Sequence, residues 1–240
     1  MEQKPPTPKD NSKIRILKNG PYLVSGNVPV FPATIKCDGK GIPVEWLIGD
    51  KLAEPETFLL CRCGQSKNKP FCDATHVKVN FDGTEVSGNE PFEKMSKDFD
   101  GPALELKDRE ILCASARFCH RGGDIWQQIP FSDNPKLKEN AIRNACDCPS
   151  GRLVVTDKEA GKTVEPSLDK SIGLIEDPIK GVSGPIWVRG GISVYSGQGM
   201  LYEVRNRVTL CRCGKSTNKP FCDSSHYPEE DREVIQDKQE

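Results

Sequence analysis

The stretch Cys61-Arg-Cys-Gly-Gln-Ser-Lys-Asn-Lys-Pro-Phe-Cys-Asp-Ala-Thr-His76 returns almost letter for letter as Cys211-Arg-Cys-Gly-Lys-Ser-Thr-Asn-Lys-Pro-Phe-Cys-Asp-Ser-Ser-His226. Three cysteines and one histidine keep the same spacing in both copies. Thiolate sulfur and neutral imidazole nitrogen are what soft or borderline metals and iron-sulfur clusters take from proteins, so each copy is a complete four-ligand set. Cys61, Cys63, Cys72 and His76 form one candidate set; Cys211, Cys213, Cys222 and His226 form the other.

The repeat extends upstream. Gly20-Pro-Tyr-Leu-Val-Ser-Gly-Asn-Val-Pro-Val30 resembles Gly184-Pro-Ile-Trp-Val-Arg-Gly-Gly-Ile-Ser-Val194. In each copy a β-prone run, Thr57 to Leu60 or Val204 to Leu210, leads straight into the first cysteine. Each unit therefore reads as short strands with a ligand loop hung from a strand end, and each is small for burying a core alone. Between these landmarks the first copy is longer by about fourteen residues, best placed in a loop around Cys37 to Asp50.

The chain has 240 residues with 34 Lys and Arg against 35 Asp and Glu, so no excess of positive charge points to nucleic acid or a membrane surface. Hydrophobic residues make up only 35%, which leaves room for metal ligation to help hold small units together. No signal-peptide core and no run of membrane-spanning length is present, so the expected location is a reducing cytoplasm, where the eleven cysteines read as ligands rather than disulfides.

Residues 1–13 are polar and proline-bearing and are expected to be disordered. Short strands follow from Ile14, with Asn19-Gly20 as a turn. Val77-Lys-Val-Asn-Phe81 reads as one further strand, and residues 84–108 as irregular. Asp133-Asn134-Pro135 reads as a helix start, with Leu137, Ala141, Ile142 and Ala145 on one face and Cys146 and Cys148 at the exit. Residues 161–183 read as a linker with a short strand around Ile172 to Ile175, and residues 229–240 as a charged, solvated tail. Cys37 reads as a lone thiol.

The pattern C-x-C-x2-S-x3-P-x-C-D-x2-H resembles that of the CDGSH iron-sulfur family, also called NEET proteins, in which three cysteines and a histidine hold a [2Fe-2S] cluster. The resemblance implies that Cys61 and Cys63 bind one iron and Cys72 and His76 the other, with Cys211, Cys213, Cys222 and His226 repeating the arrangement. It also implies that the two units pair within one chain, like a fused form of the dimer made by single-motif members. The family's glycine is replaced by Ala74 and Ser224, which puts the turn before the histidine in question. Structural zinc is the competing reading of a Cys3His set.

The middle cysteines Cys113, Cys119, Cys146 and Cys148, the last followed by Pro149, resemble those of a divergent single-cluster 4Fe-4S ferredoxin-like domain. That resemblance implies a third cluster, [4Fe-4S] or [3Fe-4S]. Its fourth ligand is open between Cys146 and His120, against the competing reading of a domain that has lost its metal.

One histidine in place of a cysteine leaves a doubly positive [2Fe-2S] core with a single net negative charge, so its potential should lie above that of an all-cysteine plant-type centre. Lys69, Lys219, Arg62 and Arg212 lie beside ligands and would push the same way, unless they are ordinary surface charge.

The expected fold is mainly β with a small α+β insert: a first unit over 14–90, a ferredoxin-like middle over 91–160, and a second unit over 184–228. The expected function is one-electron transfer or redox sensing with redox partner proteins. The alternatives are a cluster carrier serving apo-proteins and a zinc-held interaction module. Nothing resembles an enzyme active site.

Overall fold

The computed structural model describes residues 11–228. Strand β1 (Lys13–Ile16) alternates exposed Lys13 and Arg15 with buried Ile14 and Ile16, then turns at Asn19 and Gly20 into β2 (Tyr22–Ser25). The first unit continues through β3 (Val30–Cys37), β4 (Pro43–Ile48) and β5 (Thr57–Leu60). The residues expected to form a loop around Cys37 to Asp50 instead build the β3–β4 hairpin, turned at Asp38, whose carboxylate accepts from the backbone of Lys40 and Ile42.

After the first ligand loop, α1 (Thr75–Lys78) occupies the place read as a further strand; its backbone turns over at Ala74 instead of extending. The stretch read as irregular holds α2 (Phe92–Met95), β6 (Lys97–Asp100) and β7 (Leu104–Asp108). The middle region adds α3 (Ile125–Gln128), α4 (Pro135–Cys146), β8 (Leu153–Asp157) and β9 (Lys162–Val164). Its four strands lie in the order β6-β7-β8-β9, and α4 packs Ala141 and Ala145 against Leu104, Leu106, Leu153 and Val155. Asn134 caps α4 by accepting from the Lys136 amide at 3.0 Å, with Pro135 in the first turn, where a missing N–H costs nothing.

The second unit comprises β10 (Ser171–Asp177), β11 (Val182–Arg189), β12 (Ser193–Tyr195) and β13 (Arg207–Leu210). The short strand expected around Ile172 to Ile175 is present and runs on to Asp177, but it is the central strand of a sheet and not part of a linker. Ser171 to Ile175 are buried throughout, because β10 is flanked by β3 on one side and β11 on the other.

The two units are built through one another. One sheet has the order β12-β1-β2-β5 and the other β13-β11-β10-β3-β4. Strand β12 of the second unit runs parallel to β1, and β3 of the first runs parallel to β10. The registers repeat: Tyr22 faces Leu60 as Ile186 faces Leu210, and Val24 faces Phe58 as Val188 faces Val208. Ile14, Val24 and Leu60 thus share one core with Ile172, Val188 and Leu210, all 2% exposed or less, each contributing about 1.5–3 kcal/mol of burial. This shared core is how a chain of modest apolar content supports two small units. The molecule is mostly β, with the middle region set between the two repeats.

The β3–β4 hairpin also clamps the middle region. The Trp46 ring lies 4.9 Å from those of Phe118 and Trp187, and its indole N–H donates to the Asp147 carbonyl.

Candidate metal centres

Each ligand loop is closed at its base by the strand that precedes it. The Cys61 amide donates to the Pro70 carbonyl at 2.8 Å and the Cys72 amide to Leu59 at 2.9 Å; Cys211 to Pro220 and Cys222 to Thr209 repeat this at 2.9 Å each. Ser66 and Ser216 donate to the carbonyls of Phe71 and Phe221 at 2.7 Å. Asp73 accepts from the Lys67 and Thr75 amides, and Asp223 from those of Thr217 and Ser225. The Lys67 amide and the Thr75 bonds hold the Asp73 carboxyl well below its ordinary range. The non-ligand letters of the motif are thus the ones that fold the loop.

The four candidate ligands of each loop fall into two pairs. The sulfurs of Cys61 and Cys63 are 3.8 Å apart and those of Cys211 and Cys213 are 3.6 Å apart. The Cys72 sulfur lies 3.4 Å from His76 Nδ1, and the Cys222 sulfur 3.5 Å from His226 Nδ1. Two sulfurs bound at about 2.3 Å to one tetrahedral ion stand about 3.8 Å apart, and a sulfur and a nitrogen about 3.5 Å. Each pair therefore has the spacing of one edge of a metal tetrahedron. Among the described residues, no three His, Cys, Asp or Glu side chains converge as one ion requires.

The loops meet at their glycines. Gly64 (φ +74°) faces the Cys213 carbonyl so closely that a Cβ would stand 2.4 Å from its oxygen, and Gly214 (φ +79°) faces Cys63 with 2.6 Å. The positions departing from the family's glycine, Ala74 and Ser224, adopt left-handed φ of 64° and 69°. The turn is thus formed in both copies by residues less suited to it than glycine.

Arg62 and Arg212 are not surface charges. Arg62 is 1% exposed, donates to Leu17 and Gly83 carbonyls, and lies over the rings of Tyr22 and Phe81. Arg212 donates to the Ile175 carbonyl and pairs with Glu176 at 2.6 Å. Lys219 donates to the Ser216 carbonyl of its own loop. The hydrogen bond from Cys213, joined by amides of the loop and opposed by burial, brings the Cys211 thiol down to about 6, while the same bond and burial push Cys213 up. Burial pushes Cys222 well up, and the neighbouring charges of Cys211 and Cys113 add to it.

In the middle region, burial pushes Cys119 well up, and the charges of Cys113 and Cys148 raise it further, which places these three thiols in one electrostatic neighbourhood. Arg152, paired with Asp108 at 2.6 Å, opposes the rise at Cys119. Cys146 faces elsewhere: its sulfur points to the Val164 carbonyl at 4.0 Å, beside Arg207 and Glu165. His120 Nδ1 is engaged by Asp124. A cleft of about 790 Å³ runs between this region and the second ligand loop, with Cys113, Arg152, Asp223 and Ser224 on its walls. Cys37 lies 3.9 Å from the Arg117 guanidinium, apart from either loop.

Sequence reasoning missed Arg207. It is 1% exposed and donates to the carbonyls of Ala145, Cys146 and Cys148 at the end of α4, where its positive charge faces the negative end of the helix, while opening the strand that carries Cys211.

Two interlocked β units, each presenting paired sulfur and nitrogen donors from one loop, define a repeat protein with a cysteine-bearing region between the repeats. Residues 19–77 and 183–227 match the family model of the iron-binding zinc finger of CDGSH type, and residues 99–158 match that of the divergent 4Fe-4S mono-cluster. These matches support an iron-sulfur protein. No curated protein and no solved structure matches it.

Proposed function

We propose that the chain is a one-electron carrier holding two [2Fe-2S] clusters, one through Cys61, Cys63, Cys72 and His76, the other through Cys211, Cys213, Cys222 and His226. The observation that carries this is the pairing of donors: two metal-edge spacings per loop fit two irons, whereas a single zinc needs all four donors on one centre. A bound cluster supplies the one-electron couple. The chain's own residues set its environment: Nδ1 of each histidine is the donor atom, and loop amides directed at Cys211 favour its thiolate.

Cys113, Cys119 and Cys148 are the proposed ligands of a third cluster, [4Fe-4S] or [3Fe-4S], with the Cys113 carbonyl accepting from Ser224, two residues beyond Cys222, at 2.8 Å. This adjacency supports an electron path between the middle and the second loop, toward redox partner proteins. A second reading, cluster donation to apo-proteins, is favoured by the exposed Asp73 and Ala74 between Cys72 and His76.

His76→Cys and His226→Cys check the electron-transfer reading. Each should lower the potential of its own centre by on the order of 100 mV, the direction set by exchanging a neutral ligand for a thiolate. Potentials unchanged in both variants contradict it.

A further inference from the structure

The two ligand loops share a sequence but not a covering. In the first, the turn from Cys72 to His76 has Asp73 and Ala74 exposed, and Val77, just beyond His76, is 67% exposed. Its backbone hydrogen bonds run to Leu59 and Phe81, and the Asp73 carboxylate accepts from the Lys67 amide, all within its own unit.

In the second, Cys222 is 2% exposed, Ser224 7%, Ser225 6% and Tyr227 2%. The middle region lies over this turn. Ser224 Oγ donates to the Cys113 carbonyl at 2.8 Å and accepts from Ser115 Oγ at 2.6 Å. Tyr227 donates to Asp177 at 2.6 Å and accepts from Arg117 at 2.9 Å. The Asn218 to Pro220 end of the loop is covered too, since the Val86 and Ser87 amides donate to the Lys219 carbonyl and Asn218 reaches Ile111 whereas the equivalent Asn68 is exposed; the Cys211 to Cys213 opening, by contrast, is less buried than Cys61 to Cys63. The cleft beside the middle region reaches Cys113 and Ser224, and neither Cys222 nor His226 lines it.

We infer that the two sites are inequivalent: the first is the more open site, where the chain exchanges iron with its surroundings, and the second is the slower site, its Cys222 edge covered by the middle region. The inference rests on both loops holding iron-sulfur clusters. It assigns iron or cluster release to Cys72 and His76, and retention to Cys222 and His226. Loss of metal requires a competing ligand to reach the iron, so coverage of the Cys–His edge controls its rate.

The experiment follows the visible spectrum of the iron-loaded full chain in excess EDTA at neutral pH. The expected result is that the [2Fe-2S] signal of the two loops decays in two phases of equal amplitude, at least tenfold apart in rate, distinct from the decay of the middle-region cluster, which a Cys119→Ser background removes. Cys72→Ser should remove the fast phase and Cys222→Ser the slow one. Ser115→Ala combined with Tyr227→Phe, with folding checked by circular dichroism, should speed the slow phase alone. A single phase, or a slow phase that belongs to Cys72, overturns the inequivalence while leaving the iron-sulfur reading intact. Zinc without sulfide in the purified protein removes the iron-sulfur reading instead, and the release of that zinc to EDTA then decides the inequivalence by the same two rates.

Discussion

Tyr22, on the second strand of the first unit, donates its hydroxyl to the carbonyl of Cys211 in the other unit's ligand loop at 2.7 Å. The same oxygen lies 3.2 Å from the Pro220 carbonyl, and burial pushes the phenol well above its usual range, so it stays protonated as a donor. The equivalent residue of the second unit is Ile186, so the first loop receives no matching bond. Tyr22→Phe should cost about 1 kcal/mol in denaturant unfolding. It should also shift the redox signal of the second site while leaving the first in place.

The glycines where the loops meet set a second expectation. A Cβ at Gly64 would stand 2.4 Å from the Cys213 oxygen, at a φ that costs a side chain about 1 kcal/mol before any clash. Gly64→Ala should therefore lower iron content at both sites, since it pushes apart the backbones of Cys63 and Cys213 together. Iron analysis of the purified variant, with Gln65→Ala as the control at an exposed neighbour, reads this directly.

Ala74 and Ser224 have nearly the same left-handed backbone but opposite expectations. Ala74 is exposed at φ 64°, so Ala74→Gly should stabilise by up to about 1 kcal/mol by relieving the backbone. Ser224→Gly gains the same relief but loses its bonds to Cys113 and Ser115, each worth about 1 kcal/mol, and should come out destabilised. Thermal melting of the two variants side by side checks the difference in sign.

Asp177 fixes the acid side of the covering. Burial raises its carboxyl, but the bonds from Arg117 and Tyr227 outweigh this and leave it below its ordinary value. A lowered folded-state value means the stabilisation is complete above about pH 4 and is lost as pH falls through the folded value. Asp177→Asn leaves Arg117 without its buried partner and should cost about 3 kcal/mol at neutral pH. The gap between wild type and variant should then narrow below about pH 4, read from unfolding midpoints across pH.

Much of this was legible because it is local. The ligand loops, the Asn19-Gly20 turn and the α4 start at Asn134 are each written within a few adjacent residues. The exchange of strands was not legible, because β3 pairs with β10 and β1 with β12 across more than a hundred residues and no short pattern records a partner. The strand around Ile172 to Ile175 was legible but its place was not: Ser171-Ile-Gly-Leu-Ile lies at the centre of a sheet, buried on both sides, where a linker strand was expected. The hairpin at Asp38 hid inside an apparent loop insertion. The donors Tyr22, Ser224 and Arg207 carry no motif, since their roles exist only once distant segments meet. Cys146 and Cys148 are near neighbours in sequence, yet the exit of α4 sends their sulfurs to different surroundings.

The central claim is that each loop holds a two-iron cluster. The most direct measurement is iron, zinc and acid-labile sulfide per chain on anaerobically purified protein, with the visible spectrum of the same sample. The account predicts a brown protein with about seven or eight irons and matching sulfide when all three sites are filled, and about four of each when only the two loops are. Zinc without sulfide, in a colourless protein, would contradict it.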